Sequence, residues 1–126
     1  MTSTVPFQFK TSPAYDTSRV FYARLNSEIY KPSQLFDALN HLLWLPGYFG
    51  FNWNALFECL TDFHWIKERD IVLVHDELPK LGNSELRIYL SVLRDAVLDW
   101  ESDEKHRLEV VFSESDRECV IDFLNT

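Results

Sequence analysis

Glu58 and Asn54 stand four residues apart in a stretch of helical character, so one helix face carries a carboxylate beside an amide. Phe57 and Thr61 flank that face, while Trp53, Leu56 and Leu60 follow the opposite spacing, toward a core. A carboxylate accepts charge-assisted hydrogen bonds, and an amide both donates and accepts. No Lys or Arg occurs from Pro32 to Ile66, so no sequence neighbour neutralises Glu58. Framed by aromatic residues, the pair forms a compact acidic knob, a shape for plugging a cationic pocket.

Other chemistries fit less well. Cys59 with His41, His64 or His75 has the residue types of a nucleophile and base, but Leu56 and Leu60 beside Cys59 imply burial, where a thiol is inert. His75, Asp76 and Glu77 are consecutive, so they point in different directions and do not make a metal set. The three glycines, Gly47, Gly50 and Gly82, form no phosphate-cradling loop. Neither catalysis, a metal nor a cofactor is expected. Cys59 and Cys119 read as free thiols of a reduced cytoplasm. The net charge of −8 opposes direct binding to nucleic acid or anionic lipid and favours a basic partner. The N-terminus lacks a signal-peptide pattern, and no apolar run is long enough to span a bilayer.

The knob needs a scaffold, and 126 residues, 46% of them hydrophobic, suffice for one domain over residues 1–126. Residues 1–18 form a poorly patterned arm in which Phe7 and Phe9 alternate as in a short edge strand or a packed segment. Arg19 to Leu25 reads as a strand, and Asp70 to Val74 as one buried on both faces. Leu108 to Phe112 reads as a third strand. A helix is expected from Pro32 and Ser33 to Trp44, with Ser33 able to cap it, and a short one from Trp53 to Thr61. A long helix capped by Asn83 or Ser84 should run to Trp100, burying Leu86, Tyr89, Leu90, Leu93, Ala96, Val97 and Trp100. Ser115 to Glu118 has the form of a capping box before a final helix that docks on the sheet. Strands alternating with helices give a small parallel α/β sheet.

Leu45-Pro46, Tyr48-Phe49-Gly50, Asn52, Ala55-Leu56 and Cys59-Leu60-Thr61 together resemble the signature of the barstar family, small intracellular inhibitors of barnase-type ribonucleases. The likeness is dense over these residues and looser from Val20 to Phe112. It departs from the family at Asn54, where the first carboxylate stands, at Phe57 for a tryptophan, at Glu58 for a shorter carboxylate and at Asp62 for a glycine. The resemblance implies a three-stranded parallel sheet packed with helices, to which this chain adds a C-terminal helix. It implies a partner-binding surface of Tyr48, Gly50, Asn52, Trp53, Asn54, Ala55, Phe57, Glu58, Thr61, Asp62 and Phe63, joined by Asp95 and Asp99 on the long helix. The partner so implied is a ribonuclease or RNase toxin with a basic cleft, blocked by a cytoplasmic immunity protein acting as a monomer in a 1:1 complex. A retuned acidic module for a non-nuclease partner is the alternative.

Overall fold

The computed structural model describes residues 5–11, 13–25, 28–103 and 105–125; residues 1–4 and 12 of the expected arm lie outside them. Four strands, β1 (Gln8–Phe9), β2 (Phe21–Leu25), β3 (Asp70–His75) and β4 (Arg107–Phe112), form one parallel sheet in the order β1-β4-β3-β2. Four helices accompany it: α1 (Pro32–Leu42), α2 (Trp53–Leu60), α3 (Asn83–Trp100) and α4 (Arg117–Leu124). The α/β class is as the pattern predicts, but the sheet has four strands where three are expected. The additional strand comes from the arm, where Gln8 pairs with Val111 and Phe9 with Phe112. Two paired residues are too few for alternation to declare. Its anchor is tertiary, because the rings of Phe7 and Phe9 both pack on Phe112.

The apolar run of β3 occupies the middle of the sheet, with Ile71 to His75 buried. Alternation sends Ile71 and Leu73 into the main core, together with Leu35 and Leu39 of α1, Leu56 and Leu60 of α2, and Leu90 and Leu93 of α3. Val72, Val74 and Val111 face the other way. Among the described residues Tyr15, Val20 and Tyr22 pack on this small apolar strip, and the Tyr15 hydroxyl donates to the Glu109 carboxylate. Residues 13–20 therefore form a strap across the second face. β2 starts two residues later than its composition suggests, because the Arg19 and Val20 amides both bond the Asp16 carbonyl in a turn.

The buried stripe of α3 contains all seven residues that helical spacing selects. The caps differ from expectation. Lys31 is the cap of α1 and Pro32 its first residue, so Ser33 lies inside the helix. Gly82, not Asn83 or Ser84, caps α3, without a side-chain bond. The Ser115–Glu118 box does not form, because residues Glu114–Asp116 make a 3-10 turn that leads into α4 with helical dihedrals at Asp116. A side-chain cap needs extended backbone at that position. α4 also docks differently, mainly against α3, with Val120 entering the main core.

Beneath α3, the buried Tyr89 hydroxyl lies 2.7 Å from His75 Nε2, and His75 Nδ1 lies 3.1 Å from the Val111 carbonyl. A carbonyl only accepts, so Nδ1 carries the proton and Nε2 accepts from Tyr89. The neutral imidazole is fully satisfied, and burial pushes its pKa down to about 4. No described helix is long and apolar enough to cross a membrane.

Candidate functional site

The turn before α2 is built around Asn52. Its extended backbone (φ −144°, ψ 170°) sets it as the cap, its Oδ1 accepts from the Ala55 amide at 2.8 Å, and its Nδ2 donates to the Gly50 carbonyl at 3.1 Å. A Cβ on Gly50 would come within 3.1 Å of that Nδ2, so a larger residue there would press on the amide that holds the turn. Pro46 shapes the preceding turn, its carbonyl taking the Phe49 amide. At the other end of α2, the Thr61 hydroxyl donates to the Phe57 carbonyl at 2.9 Å.

Three aromatic residues around this segment hold positive φ: Trp44 (54°) after α1, Phe51 (51°) before Asn52, and Phe63 (50°) after α2. Bulky side chains rarely occupy this region, at a cost of about 1–3 kcal/mol each. At Phe63 the turn sends the ring inward, where it lies fully buried among Trp65, Trp100 and His106. Phe63 is thus removed from the expected contact set; its role is to fix the exit from α2.

On α2 the exposed and half-buried positions follow helical spacing. Asn54 and Glu58 are exposed on one side of α2, with Phe57, Ala55 and Thr61 half-buried beside them. Trp53 is half-buried and wedged between the rings of Phe36 and Tyr89, so it both supports α2 and reaches the surface. Gly50, Asn52, Asp62, Asp95 and Asp99 are exposed, and Tyr48 is 64% exposed. Asn52, however, commits both side-chain ends to the turn, which makes it a positioning residue.

The carboxylates have unequal settings. Among the described residues Glu58 makes no ion pair. Asp62 accepts from the Tyr48 hydroxyl at 3.3 Å and lies 2.9 Å from His64 Nδ1. Partial burial pushes the Asp62 carboxyl up, but hydrogen bonds and charge from His64, with the Tyr48 hydroxyl, outweigh it and hold the carboxyl below its ordinary value. Asp95 pairs with Arg94 at 3.0 Å. Cys59 is buried, and its thiol is pushed up first by burial and then by Asp62 and Glu58, so the nucleophilic thiolate is disfavoured. No group of three His, Cys, Asp or Glu that could hold a metal occurs among the described residues.

Spacing along α2 alone does not reveal that this helix forms one wall of a groove. A depression of about 430 Å³ separates it from α3, lined by Trp53, Asn54, Phe57, Arg87, Ile88, Ser91, Val92 and Asp95. Ile88, 41% exposed, and Val92 are apolar positions off the buried stripe of α3, and they are the sequence signal for this surface. Arg87 stands over the Phe123 ring at 5.6 Å and donates from Nε to the Phe123 carbonyl at 3.4 Å, tying the groove to α4.

No curated relative matches the chain. A family model does: the one described as barstar (barnase inhibitor) matches residues 19–113, which takes in β2 through β4 and the whole of the α2–α3 surface. The parallel α/β fold and a match over most of the chain agree, and the chain belongs to the barstar family.

Proposed function

We propose that this protein is an immunity-type inhibitor that binds a barnase-like ribonuclease or RNase toxin and occludes its active-site cleft. The observation that carries this reading is Glu58, an exposed carboxylate on a rigidly capped helix, without an ion pair among the described residues. A ribonuclease cleft aims Arg, Lys or His⁺ at phosphate oxygens, and a carboxylate in that position accepts the same charge-assisted bonds. Tyr48, Trp53 and Phe57 add stiff contact area, and Asn54, Asp62, Asp95 and Asp99 extend the polar rim. Inhibition requires no reaction and no cofactor. The net charge of −8 steers a basic partner toward the surface. The complex is 1:1 and cytoplasmic.

The test is titration of the purified chain into barnase-type ribonucleases while RNA cleavage is followed. Stoichiometric inhibition is expected, with an association rate that falls as salt rises through the range where the screening length is about 10 Å or less. A chain that inhibits none of them, or whose association rate is flat in salt, sinks the acidic-plug mechanism.

A further inference from the structure

Glu58 has potential donors near at hand. The Tyr48 hydroxyl and the His64 imidazole stand at the same end of α2, and each is a group that donates to carboxylates. Both are taken by Asp62. Its Oδ2 accepts from the Tyr48 hydroxyl at 3.3 Å and lies 2.9 Å from His64 Nδ1, while its Oδ1 accepts from the His64 amide at 3.3 Å. A carboxylate only accepts, so Nδ1 is the ring nitrogen that carries the proton. The Asp62 and Phe63 amides both bond the Cys59 carbonyl, which continues the last turn of α2. Asp62 therefore sits about one turn beyond Glu58, roughly 5–6 Å between Cβ atoms. The electrostatics agree. Desolvation and then the Asp62 carboxylate hold the Tyr48 phenol above its ordinary value, and Cys59 and Glu58 add to the effect. The Tyr48 hydroxyl thus lies in the field of both carboxylates and is bonded to Asp62.

We propose that Asp62 is a positioning residue that takes up the donors beside α2 and thereby keeps Glu58 unpaired for the ribonuclease. The proposal rests on the inhibitor reading and gives Asp62, named there only as part of the rim, a role that runs through Glu58. Burial fixes neither donor: Tyr48 is 64% exposed and the His64 side chain 62%. With Asp62 gone, Glu58 is the carboxylate left for them, and its longer side chain sweeps a wider arc than an aspartate would. A partner cation would then meet a carboxylate that already accepts from Tyr48, and part of the binding energy would go into displacing that bond. Holding the donors elsewhere before the partner arrives is preorganisation of the free inhibitor.

The experiment is a double-mutant cycle on inhibition of a barnase-type ribonuclease that the unmodified protein inhibits. It compares Asp62→Ala, Glu58→Ala and the two together, with thermal melting as the folding control. Asp62→Ala is expected to weaken inhibition roughly tenfold, the scale of one hydrogen bond to a charged group. Asp62→Glu, which keeps an acceptor in this place, should recover part of that loss. Once Glu58 is replaced, Asp62→Ala should change inhibition by less than about twofold, because no carboxylate is left to keep free. A residue that only touched the partner, or only braced the loop, would lose equally in both backgrounds. Equal losses therefore overturn the proposal, as does an Asp62→Ala protein as potent as the unmodified one, or an Asp62→Glu protein as weak as Asp62→Ala. Each of these leaves the inhibitor reading standing. If Asp62→Ala does not melt cooperatively, Asp62→Gly carries the same cycle. An unmodified protein that inhibits no barnase-type ribonuclease overturns the inhibitor reading and this proposal together.

Discussion

α2 and α3 both expose carboxylates and form the two walls of one groove, but they are built in opposite ways. α2 is short and held locally, by the Asn52 cap and by aromatic residues at positive φ on either side. Its Glu58 makes no ion pair among the described residues. α3 is long and held from below, by seven buried residues and the Tyr89–His75 bond. Its Asp95 already has Arg94. The contrast separates two tasks that spacing alone merges: a carboxylate kept unpaired for a partner, and a wall that keeps its shape. Energy is invested in strain and capping where the surface must be presented, and in core packing where it must be supported.

The largest effect expected from this contrast is at Glu58. Glu58→Ala should weaken inhibition by about 2–5 kcal/mol, because the partner's cations are left buried and unpaired. Its melting temperature should stay close to that of the unmodified protein, since the side chain is exposed. A titration showing full inhibition would move the site away from α2.

The support of α3 is broken by acid. His75 takes up a proton near 6.5 in the unfolded chain but only near 4 in the fold. Between those values the unfolded state binds more protons, so stability present above pH 6.5 is lost as pH falls toward 4, by up to about 3 kcal/mol. Urea unfolding at a series of pH values should show this slope, and His75→Leu should flatten it even though it lowers stability at neutral pH by orphaning the Tyr89 hydroxyl. An unchanged slope in that variant would locate the acid sensitivity elsewhere.

The support of α2 is broken more gently. Asn52→Ala removes the cap and should lower stability by about 1 kcal/mol, read from denaturant midpoints, with a matching loss of inhibitory potency. Asp95→Asn should matter least, at about 0–1 kcal/mol of binding, because its charge is exposed and already paired. If Asp95→Asn weakens inhibition as much as Glu58→Ala, the division of labour between the helices is wrong.

Much of this could be read from residue order. The exposed face of α2 and the buried stripe of α3 follow from helical spacing, and the β3 run declared itself as a doubly covered strand. What spacing could not show depends on long-range packing. β1 exists because Phe7 and Phe9 meet Phe112, far away in the chain. Phe63 turns inward because of a single left-handed residue, which a hydrophobic pattern does not encode. The pairing of His75 with Tyr89, and of Arg87 with Phe123, joins separate elements, so neither partner announces the other. The expected side-chain caps failed where Pro32, Gly82 and the 3-10 turn before α4 set the helix starts.

The two residues of β1 carry one more consequence. They lie along the outer edge of β4, where the Lys10 amide also bonds the Phe112 carbonyl at 2.9 Å. An uncovered strand edge is a template on which another chain can add a strand, and the second half of β4, Val110 to Phe112, is wholly apolar. A chain cut to residues 19–113 would keep β2 to β4, α1, α2 and α3, and would lose this cover together with α4. Removal of the β1 segment is therefore expected to raise the tendency of the chain to self-associate through β4, which gel filtration of the shortened protein would show.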